Sequence, residues 1–219
     1  LSTMQRPVSV HDIPNEITID EVIGKFQNWK ESTSTSPTTK RHLGHYHCLL
    51  QLMGQEQPDK PDASITKAKA IFQAHYSILA HAVKHGRSLK RWQKVVNSMI
   101  EKEPGNPKIH PLRVIHLYEA DYNLLLGIFW ARKLVHSAED FGTFNKSCYG
   151  GRPGMSAIEP VLLEELQVSL SYLSRSNMVV FHNDATSCYD RIVIALANLI
   201  ARRFGMSSEV CAIHGDTLQ

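Results

Sequence analysis

Apolar residues recur at helical spacing over much of this chain. Ile65, Ala68, Phe72, Tyr76, Leu79 and Val83 form one stripe, which predicts a long helix that Ser64 can cap. The preceding segment RHLGHYHCLLQLM (41–53) predicts a shorter helix. A further amphipathic helix fits residues 88–102, and EPGNPK (103–108) breaks it. LRVIHLY (112–118) alternates as a strand does, and the apolar run YNLLLGIFWARKLV (122–135) is long enough for a buried helix. Downstream, Ser156 and Glu159 have the spacing of a capping box, with Pro160 in the first turn. Ile158, Leu162, Leu166, Leu170 and Leu173 then mark one helix face. MVVFH (178–182) is short and β-branched, hence a strand. From Arg191, the residues Ile192, Ala195, Leu196, Leu199 and Ile200 predict a last helix, with Arg202 and Arg203 in its final turn and Gly205 ending it. The expected fold class is α+β, predominantly helical.

Composition changes this picture little. The 219 residues suffice for one sizeable domain, and 42% hydrophobic with 21% charged residues is ordinary for a globular chain. No apolar run approaches the roughly 20 residues that span a membrane. Cys48, Cys148, Cys188 and Cys211 lie far apart, which fits reduced intracellular thiols better than a disulfide framework. Leu1 in place of Met suggests an excerpt of a longer product. STSTSPTT (32–39) and GQEQPDKPDAS (54–64) read as polar loops.

Charge is more informative in its distribution. The whole chain carries +3, yet residues 84–113 hold eight basic side chains against two acidic ones. Such a stretch attracts phosphates, although a solvated helix face explains the charge equally well.

The sharpest chemical signal is Asp184, which follows the predicted strand 178–182 after the single residue Asn183. An ionised carboxylate at a buried strand end is costly unless paired or bound to a cation. A helix-capping role is already filled by Asp190, so Asp184 is left over. With the Ala185 carbonyl it makes a reasonable half-site for Mg²⁺, an oxygen-seeking ion. His42, His45, His47 and Cys48 invite a zinc reading, but no second ligand pair stands near them. Cys188 has no neighbouring His base and is no candidate nucleophile.

The run VVFHNDATSCYDRIV (179–193) resembles the first palm motif of reverse transcriptases. Two further blocks precede it in the family's order. YGGRPGMSAIEPVLL (149–163) resembles the glycine-rich turn and helix that lie along the template. WQKVVNSMIEKEPGNPKIHPLRVIHLYEADYN (92–123) resembles the fingers block, with Val114 where the family usually has Pro. Together the blocks cover about residues 92–204; a looser likeness to retroelement fingers extends over 29–47.

The resemblance implies an RNA-directed DNA polymerase of a retroelement, divided into a helical N-terminal extension of the fingers (1–83), a basic fingers region (84–155) and a partial palm (156–219). It implies that Asp184 is catalytic and, with Ala185, holds Mg²⁺. Lys102 and Arg113 would hold the triphosphate of the incoming nucleotide, with Lys108 as an alternative to Lys102. Tyr189 would exclude a 2′-hydroxyl, Asp190 would start the helix, and Arg152 would contact the template. Implied partners are an RNA template, a DNA primer and deoxynucleoside triphosphates. In the family two metal ions activate the primer hydroxyl and stabilise the leaving pyrophosphate. The family's adjacent Asp-Asp pair occurs nowhere in the sequence, so this chain is expected to be inactive without the remaining palm and thumb. The competing reading is a non-catalytic nucleic-acid-binding or structural helical protein whose basic stretch is its whole functional surface.

Overall fold

The computed structural model describes residues 11–30, 39–56 (backbone only for 39–43), 62–101, 105, 112–183 and 192–218. These residues are mostly helical, with one two-stranded sheet.

Helix α1 (Ile19–Gln27) opens with a capping box: the Thr18 hydroxyl accepts from the Glu21 N–H at 3.1 Å, and the Glu21 carboxylate accepts from the Thr18 N–H at 2.9 Å. Its inward face buries Val22 and Phe26. Phe26 stacks on Tyr46 of α2 (Thr39–Gly54) at 4.1 Å between centroids. Such a pair adds about 0.5–1.5 kcal/mol to the burial itself.

Helix α3 (Ala63–His85) buries Ile65, Ala68, Phe72, Leu79, Ala82 and Val83. The stripe is as its spacing predicted, but the cap is Asp62, whose carboxylate accepts from the Ser64 N–H at 2.7 Å. A carboxylate also suits the helix dipole better than a hydroxyl does. Gly86 ends the helix at φ +62°, and the Arg87 N–H returns to the Ala82 carbonyl at 3.0 Å.

The helix expected over 88–102 does not form. Residues 90–93 turn instead, and β1 (Val96–Glu101) pairs antiparallel with β2 (Leu112–Leu117) from Val96↔Leu117 to Glu101↔Leu112. Two forces override the local pattern. Trp92 is drawn fully into the core, and Val96 and Ile100 are β-branched residues offered a complete ladder partner.

The apolar run predicted as one buried helix is α4 (Ala120–Ile128), a π-helical turn (Phe129–Leu134) and α5 (Val135–Asp140). Helix α6 (Ile158–Leu173) begins at its predicted place, with Pro160 in the first turn. Its N-cap is Ala157, and Ser156 contributes only a 3.3 Å bond to the Ile158 N–H. The strand expected over 178–182 does not form a ladder, because no described strand lies beside it. Its contacts run back along α6, from Ser171 to Met178 and from Glu164 to His182.

Helix α7 (Ile194–Arg203) starts three residues later than expected and stops at Gly205, φ +97°. It packs on α8 (Ser208–Thr217) through Asn198, which donates to the Cys211 carbonyl at 3.1 Å and meets His214 Nδ1 at 2.7 Å. The main core joins residues from Ile13 to Ile213, drawing on all three stretches of the chain. Among the described residues no helix is long and apolar enough to cross a membrane.

Candidate functional site

The hairpin is held at its root by a buried carboxylate that the sequence reading passed over. Asp121 opens α4 and is 3% exposed. It accepts from the Trp92 indole at 2.9 Å, from the Tyr122 N–H at 3.0 Å and from the Arg91 guanidinium, and His75 Nε2 stands 3.5 Å away. Burial alone would raise its pKa. The opposing pull of His75, Arg91 and Trp92 holds it below the ordinary carboxylate range. The anchor therefore stays ionised at neutral pH, and it ties α3, the turn before β1 and α4 together. Burial pushes the nearby Tyr46 and Tyr122 hydroxyls well above their usual range. The sequence did carry a trace of this network: an acid at the head of an apolar run needs a cation.

From that root the two strands reach outward as an exposed ribbon. His116 and Asn97, facing each other across the ladder, bond at 2.7 Å. Arg113 lies opposite Ile100, one pair from the ladder's end, and its side chain is exposed. An arginine so placed presents its planar fork to solvent, where phosphate oxygens could take it. Lys102 and Lys108 fall outside the described residues.

Arg152 sits in a different setting. Its Nε and Nη2 donate to the two Glu139 carboxylate oxygens at 2.6 and 2.8 Å. Its Nη1 donates to the Asn145 and Cys148 carbonyls at 3.1 and 2.9 Å, and the guanidinium lies over the Phe144 ring at 5.2 Å. The guanidinium in turn holds the Glu139 carboxyl below its usual range. Four of five N–H groups thus close the loop that joins α5 to α6, which leaves one uncommitted among the described residues. Glycines at 151 and 154, both with positive φ, make the turns that bring Arg152 back onto this loop.

Asp184, Ala185, Cys188, Tyr189 and Asp190 all lie outside the described residues, so of the candidate site only Arg113 and Arg152 have described surroundings. Neighbouring elements carry a large apolar face. No residue of α6 is buried, and Leu162, Leu166, Leu170 and Leu173 are each more than half exposed. Val179 and Phe181, on the chain returning along α6, are 74% and 89% exposed.

No cluster of three or more His, Cys, Asp or Glu able to hold a metal occurs among the described residues. In the histidine-rich segment, His47 is committed to the Phe26 carbonyl at 2.8 Å, while His45 and Cys48 face outward. No protein-family profile, curated protein or solved structure matches this chain.

Proposed function

We propose that the chain is the fingers and the first part of the palm of an RNA-directed DNA polymerase. The observation that carries the reading is the order of its blocks. A Lys102–Arg113 segment, a glycine-rich turn with Arg152, and the Asp184–Tyr189–Asp190 motif follow one another in the order of that family. The β1–β2 ribbon supports it, because a hairpin with an outward Arg113 suits a triphosphate. The bare apolar face of α6 also suits a helix that packs under a sheet, as a palm requires.

In this reading Arg113 and Lys102 neutralise the incoming triphosphate, Tyr189 screens its sugar, and Asp184 with the Ala185 carbonyl offers oxygen ligands to Mg²⁺. The metal requirement is only partly met by these residues. One carboxylate is no two-metal site, and the sequence contains no adjacent Asp pair. The 219 residues by themselves are therefore expected to bind primer–template without extending it. A polypeptide that joins this chain to an Asp-Asp hairpin is expected to extend a DNA primer on an RNA template when Mg²⁺ is present. Extension by the 219 residues alone, or none by the joined polypeptide, would count against the reading.

A further inference from the structure

Beside the C-terminal half of α3, a groove of about 490 Å³ runs between the helix and the loop that follows it. Ile78, His81, Arg87, Leu89 and Lys90 line it. We propose that this groove binds single-stranded nucleic acid, with phosphates on Arg87 and Lys90 and bases laid on the apolar floor. That the ligand is a nucleic acid rests on the polymerase reading; the position of the site rests on the following geometry.

The loop that forms one wall is rigid. Gly86 reverses the chain with φ +62°, and the Gly86 and Arg87 N–H groups return to the Val83 and Ala82 carbonyls. A Cβ at Gly86 would meet the Glu209 Cα of α8 at 3.0 Å, so α8 braces the turn from behind. The Ser88 hydroxyl bonds Thr217 at 2.7 Å, and Arg91 and Trp92 are fixed to Asp121. Within this frame the side chains of Arg87 and Lys90 are exposed and make no hydrogen bond or ion pair among the described residues. Placed by a fixed backbone yet unpartnered, they are cations ready for a ligand.

The floor distinguishes the ligand. The groove's surface is mainly apolar, Ile78 is half exposed, and no carboxylate is among the lining residues. His81 stands 4.3 Å from His85, which adds flat ring surface at the rim. Histidine rings beside an aliphatic floor, flanked by cations, take unpaired bases and their backbone together. A duplex hides its base faces, and an acidic peptide has none.

The test is fluorescence anisotropy of the 219-residue chain with a labelled 20-nucleotide oligo(dT) across a salt series. Changing Arg87→Gln and Lys90→Gln together removes two cations that support nothing in the fold, which circular dichroism and melting will verify. Binding is expected to weaken roughly tenfold, and the slope of log Kd against log salt to fall by about 1.4, at about 0.7 per phosphate contact. Unchanged affinity and slope in the double variant would overturn the proposal. So would a poly-glutamate peptide of equal charge that displaces oligo(dT) as well as unlabelled oligo(dT) does. Because no extension is measured, loss of the polymerase reading and loss of this site register separately.

Discussion

The Asp121 anchor gives the most quantitative prediction. In Asp121→Asn the remaining oxygen can still accept from Trp92 and from the Tyr122 N–H, both of which bond Oδ1. The new amide nitrogen then faces Arg91 and His75, a donor against donors. Breaking a buried ion pair typically costs about 3–5 kcal/mol. The Arg91 side chain is 32% exposed and can turn toward water, so the low end of that range, about 3 kcal/mol, applies. For a chain of this size that corresponds to a drop in Tm of about 6–12 °C, followed by near-UV circular dichroism at pH 7.

The effect should also depend on pH with a defined sign. The folded Asp121 carboxyl titrates below its unfolded value of about 3.9. Its contribution is therefore complete above the unfolded value and is lost as pH falls through the lower folded one. The gap between wild type and Asp121→Asn should narrow as pH falls below about 4. A loss under about 1 kcal/mol at pH 7, or a gap that widens as pH falls below about 4, would refute this account of the anchor.

Two further variants address the backbone and the candidate sugar contact. Gly86→Ala puts a side chain at φ +62° and against the Glu209 backbone, and should cost about 1–3 kcal/mol in urea unfolding; a neutral result would mean that α8 gives way freely. Tyr189→Ala in the joined polymerase should raise ribonucleotide incorporation relative to deoxyribonucleotide, and unchanged selectivity would remove Tyr189 from the sugar's side.

Elements whose stability is local were legible in the sequence. The stripe from Ile65 to Val83 buries as its period requires, and Leu112–Leu117 alternates and pairs. The misses are long-range. Residues 96–101 have a tolerable helical pattern, and only the ladder with residues 112–117 together with the pull on Trp92 makes them a strand. Conversely, 178–182 has strand composition, but a lone strand gains no ladder bonds. The Asp62 and Ser64 caps differ by two residues, a choice that spacing alone leaves open. Asp121 escaped notice because its partners Arg91 and Trp92 lie about thirty positions upstream. Arg152 was legible as an arginine in a glycine-rich turn, whereas its bidentate hold on Glu139 depends on how that turn closes.

The central claim is that Asp184 serves nucleotidyl transfer. The direct measurement compares Mg²⁺-dependent primer extension with primer–template binding in the joined polypeptide and its Asp184→Ala variant. The account predicts that extension is abolished while the Kd for primer–template changes less than about threefold, since one carboxylate contributes little to holding a polyanion. An Asp184→Ala variant that extends primers at the wild-type rate would contradict it.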